Sequence, residues 1–518
     1  MFSSLLFLLS VRMKLSLDDV PTEIYMNKID HKNPALGTFS QRYYQNFDYV
    51  QNNTYKYAIV YIGGEGDLTG SSVEKGSYSE LAKRLHAPIF GLEHRFYGKS
   101  MPFDQLTNEN LRYLSIEQAH ADMAEFIKNK VLGNEKAAKD TRILMVGGSY
   151  AGAYSSWFRL KYPNYAFASW ASSGPVIIKN EFPEYDEYIA TQLNKTSEKC
   201  LQNTKELLEQ NQKIVESGDE QKIQKFRNDF GFTEDQDLVS MLYSVTDVIA
   251  AMIQYDTQIQ LLGEYCKLQE NGPNYDGLVK IVKKVLEHQK ETIQDVDLLL
   301  QTDTNAKGPY ANGRSWSYMT CTEFGWFQTA SGKLRSSWIN ISYFQKVCKE
   351  LFDIDELADE QEMNSLFGSD NPQQTTVFFS RGDVDPWSVL TVKEPNEFLL
   401  RRTINIEGAS HCADLHPYSA NDSKELTKAK DIIIDQLYEW LTEESCDGKC
   451  KFGKCAIGGC VCDKGYGGKY CDIETKTRES YNKLFVGAVS IPVLLVVIVI
   501  FAVWLVDLHS KKKDMIQL

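Results

Sequence analysis

The stretch Ile143-Leu144-Met145-Val146-Gly147-Gly148-Ser149-Tyr150-Ala151-Gly152 decides the fold. An apolar run of strand length meets a serine set among small residues, and the helix-forming stretch Ala153 to Leu160 follows. A strand that turns sharply into a helix leaves no room for side chains two residues before and two after the serine. Here those positions are Gly147 and Ala151. Such a turn lifts the Ser149 hydroxyl above the sheet. It also aims the Tyr150 N–H at a developing oxyanion, beside a helix N-terminus. A Gly-Ser loop without chemistry is the plain alternative, and the flanking strand and helix argue against it.

Strands and helices alternate outward from this turn. Tyr57 to Ile62 reads as a strand, followed by the glycine turn Gly63-Gly64-Glu65-Gly66. Ala87 to Glu93 and Ala166 to Ala171 read as further strands, and Ile116 to Val131 has helical spacing. Alternating units from Gln41 to about Pro175 imply a mainly parallel, doubly wound sheet. From Glu181 to Gly368 strand signals are scarce, and helical stretches such as Lys205 to Lys225 and Leu278 to Leu300 dominate. This segment reads as a helical insertion. Strand character returns at Thr375 to Ser380 and at Arg402 to Ile406, and a helix is expected from about Ser423 to Leu441.

A serine nucleophile needs a base, and the base needs an orienting acid. On sheets of this layout the acid and then the base follow the serine in chain order. The two returning strands lead into Arg381-Gly382-Asp383-Val384-Asp385-Pro386-Trp387 and Glu407-Gly408-Ala409-Ser410-His411-Cys412-Ala413. Asp385 is preferred over Asp383, because the following proline stiffens its loop; Asp383 then reads as a turn residue. Of the eight histidines, His509 follows the apolar C-terminal stretch and His31 is read as preceding the sheet. His411 lies in a loop of small residues after a core strand and is taken as the base, with His416 as the second choice.

Five motifs then occur in order: Glu93-His94-Arg95-Phe96-Tyr97-Gly98, Gly147-Gly148-Ser149-Tyr150-Ala151-Gly152, Cys321-Thr322-Glu323-Phe324-Gly325, Asp385-Pro386-Trp387 and His411-Cys412-Ala413-Asp414. With them the chain resembles the serine peptidase family that includes lysosomal Pro-Xaa carboxypeptidase, dipeptidyl peptidase II and thymus-specific serine protease. The Thr-Cys-Thr-Glu-Phe-Gly wording is most like the thymus-type branch. The resemblance covers about Gln41 to Leu441. It implies an α/β-hydrolase core with a helical cap, cleavage at chain ends often next to proline, Ser149 as nucleophile, Asp385 as orienting acid and His411 as base. Gly63 to Gly66 resembles the loop that supplies a second oxyanion donor, with Gly64 the residue chosen. Arg381 and Met319 depart from the family's usual asparagine and glutamine. Glu93-His94-Arg95 is read as structural, through buried charge pairing. Trp316, Tyr318 and Trp387 are read as core packing.

The 518-residue chain has a net charge of −14, 43% hydrophobic and 12% aromatic residues. Those values suit a large packed core and argue against a nucleic-acid surface. Six of eleven cysteines fall between Cys446 and Cys471; the other five are Cys200, Cys266, Cys321, Cys348 and Cys412, of which one stays free if the rest pair. The cluster reads as a disulfide framework or a metal site, and disulfides imply an oxidising compartment. Sequons at Asn52, Asn194, Asn340 and Asn421 agree with that compartment. Leu484 to Val506 is long and apolar enough to span a bilayer, and His509-Ser510-Lys511-Lys512-Lys513 after it predicts a cytoplasmic tail. Pro492 is expected to kink that span mildly. Leu5 to Leu9 resembles the apolar part of a signal peptide, although no basic residue precedes it.

The closing Cys-x-x-Gly-Tyr-x-Gly-x-x-Cys of the cluster turns the chain tightly over an aromatic ring. It resembles an EGF-like module. That resemblance implies the pairs Cys446–Cys455, Cys450–Cys460 and Cys462–Cys471. Zinc binding is the rival reading, disfavoured by the single residue between Cys460 and Cys462.

The expected organisation is a signal segment (1–15), an α/β-hydrolase core in two parts (30–180 and 369–441) around a helical cap (181–368), an EGF-like module (445–472), a transmembrane helix (484–506) and a cytoplasmic tail (507–518). The expected function is a single-pass type I membrane serine exopeptidase, acting in a lysosome-like compartment or at the cell surface. Its expected partners are peptide substrates and the membrane, with a homodimer among the assemblies considered; no nucleic acid, metal or cofactor is called for. Two other readings stand beside it: a catalytically silent surface receptor or adhesion protein, and an esterase on the same core.

Overall fold

A computed structural model describes residues 20–443, 450–456, 459–467 and 470–474. The expected signal segment, Cys446, the span 484–506 and the tail 507–518 lie outside the described residues. No helix among the described residues is long and apolar enough to cross a membrane. The chain divides into two compact units at Glu443.

The first unit is built on one eight-stranded sheet. Its strands are β1 (Glu23–Lys28), β2 (Thr38–Asn46), β3 (Tyr55–Ile62), β4 (Ile89–Leu92), β5 (Ala137–Gly148), β6 (Ala168–Ser172), β7 (Val377–Gly382) and β8 (Arg402–Ile406). Their spatial order is β1-β2-β4-β3-β5-β6-β7-β8. The pairs β1–β2 and β2–β4 are antiparallel, and every other pair is parallel. This order, with β2 reversed, is an α/β-hydrolase sheet.

Both faces of the sheet are covered, which explains the unbroken apolar run in β5. Successive side chains point to opposite faces. Ile143 and Met145 pack with helices α1 (Ile116–Phe126) and α2 (Tyr150–Lys161) on one side. Leu144 and Val146 pack on the other side with Ile433, Ile434 and Leu437 of the C-terminal helix Lys424–Thr442.

Strands β1 and β2 correct the sequence reading. The sheet begins at Glu23, ahead of residue 30, and His31 lies between β1 and β2 instead of before the sheet. The buried face of β1 carries Asn27, whose Nδ2 donates to Gln41 Oε1 at 2.8 Å, while Ile24 and Met26 are exposed. That face joins one aromatic, Tyr25, to the polar Asn27, so the apolar alternation runs opposite to the burial. The expected helix from Ile116 to Val131 ends as a wider π turn over Ile127–Val131.

Between β6 and β7 the chain leaves the sheet. Helices α3 (Pro183–Thr196) and α4 (Leu238–Gln254) belong to this insertion, with Glu198–Glu216, Glu220–Phe230, Tyr275–Gln289 and Ile341–Phe352 among its other helices. Two of the expected helical stretches are broken. Lys205 to Lys225 is interrupted at Gly218, which has φ 61°, and Leu278 to Leu300 is interrupted at Lys290, which is left-handed at φ 59°. Disulfides Cys200–Cys266 and Cys321–Cys348 staple the insertion, leaving Cys412 as the free thiol among the described cysteines. The four sequon asparagines are all exposed.

The second unit contains short antiparallel pairs, Gly453–Ala456 with Gly459–Cys462 and Tyr466–Gly467 with Ile473–Glu474. Cys450 pairs with Cys460, and Cys462 with Cys471. Both pairs are those expected; Cys446, in the third, lies outside the described residues. The Phe452 and Tyr466 rings stack at 4.1 Å.

Candidate active site

Ser149 stands at the C-terminal end of β5 and is the N-cap of α2, with φ 58° and ψ −131°. A non-glycine residue at positive φ is strained and persists only where its surroundings hold it. Here the Ser149 N–H donates to Ser172 O at 3.0 Å, and the Ser149 carbonyl accepts from Gly152 and Ala153. The small residues around it are sterically required. A Cβ on Gly147 would lie 2.0 Å from Ala151 O, and one on Gly152 would lie 2.6 Å from Ser172 O.

The loops after β7 and β8 bring Asp385 and His411 together. His411 Nδ1 lies 2.8 Å from Asp385 Oδ1, and both side chains are buried. Asp385 also accepts from the Trp387 N–H at 2.9 Å, as the cap of a short 3-10 turn that starts at Pro386. Burial disfavours a charged imidazole, but the Asp385 carboxylate and the adjacent Cys412 together outweigh it and hold the His411 pKa well above the ordinary 6.5. His411 Nε2 is buried and has no hydrogen-bond partner. Ser149, His411 and Cys412 line one cavity of about 800 Å³. Its walls include Tyr61, Lys75 and His416 from the core, and Tyr255, Gln258 and His288 from the insertion.

Asp383 and His416 have other partners, although His416 shares the cavity wall. The Asp383 carboxylate accepts from the Gly408 N–H at 2.6 Å, which is a turn role. His416 is exposed, with Nε2 3.0 Å from Gln258 Nε2. Asp414, three residues after His411, accepts from Ser172 Oγ at 2.6 Å, from Trp170 Nε1 at 3.2 Å and from Ser380 Oγ. It anchors the His411 loop to β6 and β7.

The two oxyanion donors expected from sequence are the Tyr150 and Gly64 N–H groups. Tyr150 is the first residue of α2, so its N–H has no acceptor within the helix. In the glycine loop the Gly63 N–H is spent on Leu92 O at 2.9 Å, which leaves Gly64 as the next donor. A Cβ on Gly64 would lie 3.9 Å from Ala151 Cβ, so this loop packs against the nucleophile turn.

Sequence reasoning missed how the Glu93-His94-Arg95 motif serves the site. Glu93 pairs with Arg42, and Arg95 holds Asp122 through two bonds of 2.6 Å, all buried. His94 differs from these. Its Nδ1 lies 2.7 Å from Arg95 O and its Nε2 lies 2.9 Å from the Tyr150 hydroxyl. Nδ1 facing a carbonyl must carry the proton, so Nε2 accepts from Tyr150. Burial lowers the His94 pKa to about 4, which keeps the ring neutral in this arrangement. His94 thereby fixes Tyr150, the residue after Ser149. No local signal distinguished it from its charged neighbours. Glu323 of the Cys-Thr-Glu motif is likewise structural: it accepts from the Ile116 N–H at 3.0 Å at the start of α1, and burial pushes its pKa up to about 7.

Trp387 and Trp316 combine packing with proximity to the site. The Trp387 ring centroid is 6.4 Å from that of His411, and it packs on Phe182, Tyr185 and Trp326. Trp316 packs on Tyr150, Phe324 and Trp326. Met319 receives the Tyr97 hydroxyl at 3.4 Å across the junction of core and insertion.

The family profile described as serine carboxypeptidase S28 matches residues 27–433. The chain is 32% identical over 438 residues to the thymus-specific serine protease of Mus musculus, covering 78% of this chain and 84% of that protein. It is 30% identical over 417 residues to the thymus-specific serine protease of Homo sapiens, covering 74% and 79%. It is 25% identical over 446 residues to the lysosomal Pro-X carboxypeptidase of Mus musculus, covering 81% and 89%.

Proposed function

Because the chain belongs to the serine carboxypeptidase S28 family and is a serine-type peptidase, we propose that it trims peptide ends, often next to proline, through a Ser149–His411–Asp385 triad and an acyl-enzyme. The observation that carries the reading is the buried His411 Nδ1–Asp385 Oδ1 bond of 2.8 Å, with the opposite ring nitrogen unpartnered beside the cavity that Ser149 lines. Ser149 Oγ attacks the scissile carbonyl while His411 Nε2 takes its proton. Asp385 holds the proton on Nδ1 and stabilises the imidazolium. The oxyanion receives the Tyr150 and Gly64 N–H groups. His411 then returns the proton to the leaving amine, and water activated by the same nitrogen hydrolyses the ester.

The helical insertion supports end-directed cleavage, since its residues wall the cavity opposite the core. The two disulfides of the insertion support an oxidising, lumenal or extracellular setting. The segment from Leu484 to Val506 is proposed as a membrane anchor and the cysteine module before it as an EGF-like stalk.

The test is labelling with a fluorophosphonate, followed by end-product analysis of proline peptides blocked at one end or the other. Labelling lost in Ser149→Ala, with terminal products from wild-type protein, is expected. A free C-terminus requirement identifies a carboxypeptidase, and a free N-terminus requirement a dipeptidyl peptidase. Internal cleavage of a long unstructured chain sinks the exopeptidase claim. An unlabelled folded protein favours the silent receptor, and ester turnover without peptide turnover favours an esterase.

A further inference from the structure

We propose that the turn Gln254 to Gln258 of the helical insertion is a positioning element for His411, so that the cap is part of the catalytic machinery as well as a cover. The inference rests on the triad reading above. The His411 N–H donates to Gln254 O at 2.9 Å. One residue earlier, the Ser410 N–H donates to Thr257 Oγ1 at 2.8 Å, and the Thr257 N–H returns a bond to Ser410 Oγ at 3.1 Å. Ser410 Oγ in turn donates to Gln258 Oε1 at 3.0 Å. Two consecutive main-chain donors of the base loop thus have their acceptors on the insertion, not on the sheet.

The same turn also holds the acid loop. Gln254 Oε1 accepts from Trp387 Nε1 and from the Tyr185 hydroxyl, each at 2.8 Å. Helix α3 adds the Tyr188 hydroxyl at 2.7 Å and Gln192 Nε2 at 2.9 Å, both donating to Asp383 O. Gln254 therefore reaches the base through its carbonyl and the acid loop through its side chain. The separation of Asp385 and His411 is set by a segment that sequence places more than a hundred residues from either. Misplacement of a catalytic group by a fraction of a bond length lowers rate without weakening binding, because the geometry matters most in the transition state.

Thr257→Val tests this on the full chain. It keeps side-chain shape and removes the acceptor of the Ser410 N–H. The expected result is a fall in kcat of about tenfold with KM changed by less than about twofold, and a parallel fall in the second-order rate of fluorophosphonate labelling. Thr257→Ser restores the acceptor and should return both rates to within about twofold of wild type. Wild-type rates in Thr257→Val, or a Thr257→Ser variant as slow as the valine one, overturn the inference. If the valine variant does not fold, Ser410→Ala breaks the interface from the other side and is expected to show the same split. A change confined to KM in that variant also overturns it. Failure of wild-type protein to label at Ser149 would instead remove the triad on which the inference stands.

Discussion

Replacing Asp385 with asparagine separates the charge of the acid from its shape. Asp385 is fully buried and its Oδ1 lies 2.8 Å from His411 Nδ1. At that separation and an effective dielectric of about 20, Coulomb's law gives about 6 kcal/mol favouring the imidazolium that the proposed attack by Ser149 would form. An asparagine keeps a polar contact and recovers part of this, so kcat/KM should fall by about 10³ to 10⁴. The pH profile supplies an independent readout. His411 must be neutral to take the Ser149 proton, so activity is present above its pKa and is lost as pH falls through it. Burial opposes a charged ring, but Asp385, together with Cys412, raises that pKa well above 6.5. The wild-type acid limb should therefore centre above pH 6.5, and Asp385→Asn should move it to lower pH. Residual activity is measured with a proline peptide across pH 4 to 9, beside the fluorophosphonate labelling rate. Asp383→Asn is the control, because its carboxylate bonds only the Gly408 turn. Its kcat/KM should stay within about threefold of wild type. A loss below about tenfold in Asp385→Asn, or an unmoved acid limb, would refute the assignment. A large loss in Asp383→Asn with the acid limb shifted would transfer the role to Asp383.

Three further outcomes follow from the packing. Gly147→Ala places a methyl 2.0 Å from Ala151 O and must displace the nucleophile turn, so labelling should slow by about a hundredfold or more, whereas Gly64→Ala meets its nearest neighbour at 3.9 Å and should fold normally; normal labelling of Gly147→Ala would show that the turn is not under this constraint. Arg95→Met leaves Asp122 buried with its main charge partner removed and should cost about 3 to 5 kcal/mol in urea unfolding; a loss under about 1 kcal/mol would mean that His31, 2.7 Å from Asp122, suffices. Removing Cys200 and Cys266 together by serine substitution opens a 66-residue separation within the insertion and should cost about 2 to 4 kcal/mol, with unchanged stability showing that helix packing alone holds that region.

Much of the core was readable from local pattern. The β8 boundaries, Arg402 to Ile406, coincide with those read from sequence, because a short β-branched and apolar run between polar loops admits few alternatives. Strand β1 was not readable, because its buried face depends on Asn27 and Gln41 satisfying each other across the sheet. The helix breaks at Gly218 and Lys290 did carry local signals, the caps Asp219 and Thr292, which were passed over because charged residues continue through both.

By itself the sequence nominated the candidate positions. The small residues flanking Ser149 are dictated by backbone crowding within a few residues, and that is a local property. The stiff Asp385-Pro386 step and the small-residue loop at His411 are local as well. Tertiary structure decided which of these groups meet, and what holds them. The His411–Asp385 bond, the neutral His94 under Tyr150 and the attachment of the base loop to Gln254 and Thr257 all join residues far apart in the chain. A hydrogen bond depends on separation and direction in space, and no periodicity along the chain encodes either once a helical insertion of nearly two hundred residues intervenes.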